Sequence, residues 1–166
     1  MNLFISPLHS SHNKKDFSCG KKLLDDYLHL QAKQDVKKML AVCFVLNDES
    51  GNIKGYYTLS NTGISRDILP LELAKKIPKS YTNLPATLLG RLAVDISVVG
   101  KGYGEFILMD AITRCFEVSK SEIGSMAIIV DPIDKQAIQF YKKYGFILLP
   151  DSGKMFLTMK TISELF

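Results

Sequence analysis

The sequence predicts an α/β fold in one domain, and three observations support this prediction. The 166 residues are enough to bury one sizeable hydrophobic core. Apolar residues make up 46% of the chain and charged residues 23%, a balance typical of a folded protein rather than a disordered one. Helical patterns alternate with short apolar runs typical of strands, and no repeat, low-complexity tract or linker interrupts them. We therefore expect a single α/β domain over residues 1–166.

The individual elements follow from apolar periodicity and from glycine, proline and turn residues. The first segment has an apolar face at helical spacing, with lysines and aspartates elsewhere. The residues expected on this face are Leu23, Leu24, Tyr27, Leu28, Leu30 and Ala32. A turn-rich segment at 48–52 has the length of a hairpin connection, and Pro70 suits the first turn of a helix. The expected elements are a helix over about 18–38, strands over 41–46 and 53–59, a helix from about 70 to 77, a strand over 87–95, a helix to about 118, a strand over 125–130, a helix over 134–144, and strands over 146–149 and 155–159.

Composition also bears on location and ligand class. No apolar run approaches the roughly 20 residues that span a bilayer, and residues 1–7 lack the features of a signal peptide. Cys43 lies in a strand-like run and Cys115 on an apolar helix side, and no Cys-x-x-Cys pair occurs, which favours buried free thiols and a cytosolic protein. The net charge of +4 favours polyanionic ligands such as coenzyme phosphates or nucleic acid, although ordinary surface lysines would give the same charge.

A glycine-rich turn between a predicted strand and a predicted helix carries the clearest chemical signal. The sequence Gly100-Lys101-Gly102-Tyr103-Gly104 follows the strand at 87–95. Glycines at alternate positions let backbone N–H groups converge on an anion, and the helix N-terminus adds partial positive charge there. Lys101 and Tyr103 occupy positions from which side chains can point away from the ligand. The spacing matches neither a Walker A loop nor a dinucleotide fingerprint, so a pyrophosphate site and a plain structural turn both remain open.

A second segment, thirty residues after this turn, extends the signal. Residues Asp134–Phe146 read DKQAIQFYKKYGF. The two segments together resemble the Gcn5-related N-acetyltransferase (GNAT) superfamily, whose members carry a Gln/Arg-x-x-Gly-x-Gly/Ala pyrophosphate loop and then an Asn-x-x-Ala-x-x-Phe-Tyr-x-x-x-Gly-Phe segment. The resemblance covers about Ala41 to Met159. It implies the GNAT fold, a central mixed, mostly antiparallel twisted sheet flanked by helices, with splayed central strands that hold the coenzyme.

Two positions depart from the superfamily pattern. Val99 stands where members usually have Gln or Arg, so that side chain's contribution to the loop is missing. Asp134 stands where many members have Asn, which either weakens a coenzyme contact or caps the helix.

Further runs are similar to the acetyltransferase toxins of bacterial toxin–antitoxin systems. These runs are Phe17–Gly20, Leu24–Leu28, Gly55–Ser60 and Leu89–Asp95. Members of that subfamily acetylate the amino group of aminoacyl-tRNA and are silenced by a ribbon-helix-helix antitoxin. The resemblance therefore implies an acetyl-CoA-dependent N-acetyltransferase of aminoacyl-tRNA. It also implies an antitoxin of that type and a second copy of the chain as partners.

The resemblance also implies which residues form the site. By its place in the motif, Tyr141 corresponds to the catalytic tyrosine of the superfamily. A phenol with a pKa near ~10 keeps its proton at pH 7, so it can deliver that proton to the leaving sulfur. The alternative role for Tyr141 is that of a core aromatic, which is the role we expect for Tyr144. A backbone N–H near Ala93 or Val94 is the expected donor to the carbonyl oxygen. The coenzyme-binding residues implied are Leu92, Ala93, Val94, Gly100, Lys101, Gly102, Tyr103, Gly104, Glu105 and Asp134.

Basic side chains are the expected contacts to the substrate RNA. Lys33, Lys37 and Lys38 lie near the end of the first predicted helix, and Arg91 lies in the strand before the glycine-rich turn. A solvated helix face would carry the same lysines without any such role. No metal site is predicted, because the three histidines lie in the first segment without a ligand cluster at zinc spacing.

Two other functions remain open from the sequence. The chemistry could be the same with a small amine or a protein N-terminus as the acceptor. The chain could instead be a coenzyme- or antitoxin-binding module with little activity, which Val99 and Asp134 suggest.

Overall fold

The computed structural model describes residues 1–165 and contains seven strands in one sheet. The strands are β1 Phe4–Pro7, β2 Val42–Asn47, β3 Ile53–Ser65, β4 Asn83–Val94, β5 Ala127–Val130, β6 Ile147–Leu148 and β7 Met155–Thr158. The α-helices are α1 Lys22–Asp26, α2 Ala32–Lys37, α3 Leu71–Ala74, α4 Tyr103–Ser121, α5 Lys135–Lys143 and α6 Met159–Leu165. A π-helical turn, Tyr27–Gln31, joins α1 to α2, and 3₁₀ turns occupy Arg66–Ile68 and Ile96–Val98.

The strands hydrogen-bond in the order β1-β2-β3-β4-β5-β7-β6. Antiparallel pairing joins β1 to β2, β2 to β3, β5 to β7 and β7 to β6, whereas β4 and β5 are parallel. The predicted mixed, mostly antiparallel α/β sheet is thereby confirmed. No helix in the described part of the chain is both long and apolar enough to cross a bilayer.

The chain forms two compact units. Unit 1 comprises Met1–Ser60 with Leu89–Ala111, and unit 2 comprises Asn61–Leu88 with the chain from Ile112 onward. The single domain over residues 1–166 stays a prediction.

The first helical segment of unit 1 differs from its prediction in start and in packing. It begins at Lys22 rather than near Ser18. The π-helical turn adds a residue to one turn and so rotates the faces that follow. Tyr27, Leu28 and Ala32 are buried as expected. Leu23 and Leu30 were expected on the same apolar face but are 69% and 78% exposed, so that part of the prediction is wrong.

The core of unit 1 forms where this helical segment packs on β2 and β3. Its buried residues are Phe17, Tyr27, Leu28, Ala32, Cys43, Val45, Ile53, Tyr56 and Ala93. The Tyr56 ring lies 5.6 Å from the Phe17 ring and 6.2 Å from the Tyr27 ring between centroids. Its hydroxyl donates to the carbonyl oxygen of Leu24 at 2.6 Å. The helical segment is thus fixed on the sheet by packing and by one satisfied buried hydroxyl.

Unit 2 has its own core, which lies around β5 and β7. The buried residues are Ile64, Leu69, Leu84, Ala86, Ala127, Ile129, Leu149 and Phe156. The Arg66 guanidinium donates to four backbone carbonyl oxygens, those of Ala74, Ile77, Pro78 and Tyr81, at 2.6–2.9 Å. Arg66 therefore holds the connection between β3 and β4 in one conformation.

Several element boundaries differ from the prediction for identifiable reasons. β1 was not predicted, because it is a four-residue edge strand that ends in a proline. α6 was not predicted, because it follows β7 directly with no turn residue between them. β3 continues to Ser65 rather than ending at Leu59, through a polar run that carries no apolar alternation.

Candidate active site

The glycine-rich turn opens helix α4, within unit 1. Gly100 and Gly102 adopt left-handed backbone conformations, with φ of +81° and +83°. A Cβ placed on either glycine would meet no atom within 4 Å, so the space outside the turn is open. α4 begins at Tyr103, and the N–H groups of its first turn have no partner within the helix. The geometry is that of a backbone anion site at a helix N-terminus.

Side chains around the turn differ in exposure. Lys101 and Glu105 are exposed, whereas Tyr103 and Gly104 are half-buried. Val99 is 64% exposed, so the side chain that replaces the usual Gln or Arg lies on the surface. The predicted coenzyme contacts of these residues remain predictions.

Asp95 fixes the point where β4 ends and the approach to this turn begins. Its Oδ2 accepts the N–H of Ser18 and its Oδ1 accepts the N–H of Ser97, both at 2.9 Å. Burial alone would raise the pKa of Asp95, but these hydrogen bonds outweigh it and hold the pKa below its usual value. Sequence analysis gave Asp95 no role. The signal was present in Asp95-Ile96-Ser97, the pattern of an aspartate that caps a following turn.

The end of β4 carries Leu92, Ala93 and Val94. Ala93 is buried in the unit 1 core, and Leu92 and Val94 are half-buried. The parallel ladder with β5 pairs Thr87 with Ile128 and Leu88 with Ile129, so residues 89–94 extend beyond that ladder. Backbone groups in this stretch are suited to hydrogen bonding with an extended ligand.

Helix α5, in unit 2, begins at a capping aspartate. Asp134 Oδ1 accepts the N–H of Ala137 at 2.8 Å, which is the geometry of an N-cap. Of the two roles considered for Asp134, the structure therefore supports the cap.

Tyr141 lies on the buried side of α5. Its ring is 5.3 Å from the Phe140 ring and 5.2 Å from the Phe146 ring between centroids. The hydroxyl has no hydrogen-bond partner within residues 1–165, and the residue is 7% exposed. Burial raises the pKa of Tyr141. The phenol therefore keeps its proton at neutral pH.

Tyr144 is placed differently from Tyr141. It is half-buried, its ring lies 5.2 Å from the Phe140 ring, and Lys143 Nζ lies 5.4 Å from its centroid. These contacts support the packing role expected for Tyr144.

Arg91 is held on an aromatic ring in unit 1. Its guanidinium carbon lies 3.7 Å from the centre of the Tyr27 ring, and the Tyr27 hydroxyl donates to Asp35 Oδ2 at 2.8 Å. Burial and Asp35 raise the pKa of Tyr27. Within the described residues no acceptor pairs with the guanidinium N–H groups. Arg91 is thus oriented and available for an anion with two acceptor oxygens, such as phosphate or carboxylate.

The three predicted substrate lysines lie together at the end of the first helical segment. Lys33 and Lys37 belong to α2 and Lys38 follows it, and all three are exposed. None of them forms an ion pair among residues 1–165. For the same part of the chain, no group of three His, Cys, Asp or Glu side chains is placed to hold a metal ion.

Comparison with known proteins gives consistent relatives, although no protein-family model matches the chain. The tRNA-acetylating toxin of Mycobacterium tuberculosis is 34% identical over 145 residues, which are 87% of this chain and 84% of the relative.

Solved structures extend the comparison to the whole fold. A tyrosine-to-phenylalanine mutant of KacT aligns with a TM-score of 0.92 and 32% identity over 100% of both chains. AtaT complexed with acetyl-methionyl-tRNAfMet aligns with a TM-score of 0.91 and 29% identity over 99% of both chains. AtaTR bound with acetyl-CoA aligns with a TM-score of 0.84 and 28% identity over 98% of this chain and 97% of that one.

Proposed function

The chain belongs to the family of the tRNA-acetylating toxins, and from this premise we propose that it transfers the acetyl group of acetyl-CoA to the amino group of an aminoacyl-tRNA. The observation that carries the proposal is the likeness to AtaT complexed with acetyl-methionyl-tRNAfMet, which extends over 99% of both chains. The likeness to AtaTR bound with acetyl-CoA supports the same acetyl donor.

The glycine-rich turn is the proposed site for the coenzyme pyrophosphate. The open space outside Gly100 and Gly102 and the unpaired N–H groups at the start of α4 favour a phosphate ligand. Lys101 adds a positive charge on an exposed side chain, and the backbone of Gly104 and Glu105 continues the first helical turn. Leu92, Ala93 and Val94 are proposed to hydrogen-bond the pantetheine arm through their backbone, as an added strand would.

Tyr141 is proposed as the general acid of the reaction. The amino nitrogen forms a bond to the acetyl carbon as the carbon–sulfur bond breaks, and the Tyr141 hydroxyl gives its proton to the departing sulfur. The raised pKa of Tyr141 supports this role, because the proton is retained, and its hydroxyl has no hydrogen-bond partner within residues 1–165 that would hold this proton. A backbone N–H of Ala93 or Val94 is proposed to stabilise the charge that develops on the carbonyl oxygen.

The acceptor amine needs little activation by the protein. An α-amino group titrates near ~8, so a substantial fraction is neutral at physiological pH. The proton that the amine loses on acylation can pass to solvent. The proposed mechanism therefore uses a general acid and assigns no residue as general base.

Arg91 and the lysines near the end of α2 are proposed to contact the RNA. Arg91 offers a guanidinium that is already oriented on Tyr27, which reduces the entropy lost on binding phosphate. Lys33, Lys37 and Lys38 offer exposed charges that suit backbone phosphates.

The regulatory setting follows from the family. We propose a ribbon-helix-helix antitoxin as the inhibitor of the protein, a homodimer as its assembly, and the cytosol as its location. The buried free thiols of Cys43 and Cys115 agree with a reducing compartment.

The experiment that tests the function is a comparison of acceptors. The protein is incubated with acetyl-CoA and either aminoacyl-tRNA, deacylated tRNA, small primary amines or an unblocked peptide, and the products are identified by mass spectrometry after nuclease digestion. We expect an acetylated aminoacyl-adenosine from the first acceptor only. Acetylation of a small amine or peptide alone would assign a different acceptor. No turnover with any acceptor would favour the weakly active binding module that Val99 and Asp134 suggested.

A further inference from the structure

A basic pocket lies in unit 1, outside the residues assigned so far to the coenzyme. It is formed by the segment after β1 and by α2, and its volume is about 130 Å³. That is several times the ~30 Å³ that one water molecule occupies in the liquid, so a phosphate group can enter. Four of its lining residues are basic and two are apolar: His9, His12, Lys14 and Lys33, with Leu8 and Val36. None of its lining residues is a carboxylate, and we name it the histidine–lysine pocket.

His12 is a fixed part of the pocket wall. Its Nδ1 accepts the backbone N–H of His9 at 2.9 Å, and its Nε2 lies 3.5 Å from Ser6 Oγ. Ser6 Oγ in turn donates to Asn47 Oδ1 at 2.8 Å, which leaves the Ser6 oxygen as an acceptor for the His12 ring. Burial and the neighbouring His9 ring lower the pKa of His12. His12 therefore stays neutral at physiological pH and holds the His9 backbone in place.

The other three basic side chains supply donors. The Ser11 N–H donates to His9 Nδ1 at 3.2 Å, which leaves Nε2 as the ring nitrogen of His9 that can donate to a ligand. Among residues 1–165, neither His9 Nε2 nor the ammonium groups of Lys14 and Lys33 has a hydrogen-bond or ion-pair partner. The nearby carboxylates are engaged elsewhere, Asp16 with Asn13 at 3.1 Å and Asp35 with Tyr27 at 2.8 Å.

We propose that the histidine–lysine pocket binds one backbone phosphate of the tRNA. Three N–H donors without a partner suit a tetrahedral oxyanion, and Leu8 and Val36 give the attached ribose an apolar surface. Lys33 lies on α2, the helix that also carries Lys37, so this pocket continues a row of charges that fits a polyanion better than a single carboxylate. The inference rests on the proposed function, and it adds His9 and Lys14 to the RNA contacts.

The test measures tRNA binding by the full chain with His9→Gln and Lys14→Gln combined. We expect the Kd for tRNA to rise on the order of tenfold and the salt slope to fall by about 1, with acetyl-CoA affinity within about twofold of the unmodified protein. Lys160→Gln removes an exposed charge from unit 2 and is the control, which should stay within about twofold in both affinities. If the double variant fails to fold, Lys14→Gln alone is measured. A Kd and slope equal to those of the control would overturn the proposal.

A second measurement follows the His9 ring signals by NMR during titration. We expect the signals to move when tRNA is added. Movement with inorganic phosphate or with a glutamate-rich peptide, but none with tRNA, would assign the pocket to free phosphate or to a protein partner and overturn the RNA assignment. Acetylation of aminoacyl-tRNA by the unmodified protein is measured in parallel. Absence of that acetylation contradicts the proposed function, whereas acetylation with unchanged tRNA affinity in the double variant contradicts only the pocket.

Discussion

Asp95 is the residue on which the local structure before the glycine-rich turn depends. Its carboxylate is 5% exposed and accepts N–H groups from Ser18 and Ser97, so one side chain ties the N-terminal segment of unit 1 to the end of β4. Hydrogen bonds to an ionised acceptor are stronger than those between neutral groups. The ionised state of Asp95 therefore contributes to stability.

We expect Asp95→Asn to lower the free energy of unfolding at pH 7 by about 1–3 kcal/mol, because an asparagine keeps one oxygen and places a donor against a backbone N–H. The pKa of Asp95 is lowered in the folded state. Its contribution is therefore complete above the unfolded pKa of about 3.9 and is lost as the pH falls through the folded pKa. Urea unfolding at neutral pH and near pH 3 should show the difference between the two proteins shrink in acid. A difference that is equal at both pH values would contradict this role.

For individual residues, the sequence predicted the role of some side chains and gave no indication of others. Tyr141 was singled out because a specific motif surrounds it, and the structure adds what the motif could not give, namely the burial of its ring between Phe140 and Phe146. The support of Arg91 by Tyr27 was invisible in the sequence, because this contact joins residues 64 positions apart in the chain. Nothing in local pattern reports such a pair.

At the scale of elements, the helical segment from α1 to α2 differs from a regular α-helix at its π-helical turn. Helical periodicity predicted a single apolar face, whereas Leu23 in α1 and Leu30 in the π-helical turn are both exposed. Tyr27 is the first residue of this turn; its hydroxyl donates to Asp35, and the Arg91 guanidinium lies on its ring. Local π-helical turns are frequent at functional sites. The sequence could predict the helix but not this π-helical turn. Such a turn is less stable than α-helix, and the tertiary packing that offsets the difference in free energy is not visible in a local pattern.

We expect Gly102→Glu to abolish measurable acetyl-CoA binding in calorimetry, because it adds a side chain and a negative charge beside the proposed pyrophosphate site. The φ of +83° at Gly102 strains any other residue, so a control must carry the same strain. Gly153→Glu supplies it, since Gly153 has a φ of +72° and open space around it in unit 2. If the control binds coenzyme normally and Gly102→Glu does too, the turn has only a structural role.

The charged end of α2 gives a second prediction at this scale. Replacing Lys33, Lys37 and Lys38 together with glutamine should weaken tRNA binding and reduce its salt slope by up to about 3, because each phosphate contact releases counterions. Acetyl-CoA affinity should not change. The control replaces Lys75, Lys76 and Lys79 in unit 2, which are also exposed. An equal loss of tRNA affinity in both triple variants would show a net-charge effect without a specific contact.

At the scale of the whole molecule, strand and helix order agreed with the sequence because long apolar runs and glycine turns are local signals. The mixed sheet was implied by the superfamily resemblance, and its strand order confirms it. The sequence did not predict β1 and α6, which lie at the two ends of the described chain. β1 is too short to show alternation, and no turn residue separates α6 from β7. The division into two compact units also lay outside what periodicity can report, because it depends on contacts between distant segments.

The most direct test of the account is single-turnover acetylation of an aminoacyl-tRNA pool by the unmodified protein, Tyr141→Phe and Tyr144→Phe. Both substitutions delete one hydroxyl and keep the ring, so packing changes little in either, and thermal unfolding checks this first. We predict that Tyr141→Phe binds acetyl-CoA normally and loses roughly 10²–10⁴ in the rate of transfer, because the proton is needed only as the thioester breaks. Tyr144→Phe should keep its activity. A Tyr141→Phe protein within about threefold of the unmodified rate would contradict the account and leave Tyr141 with a packing role alone.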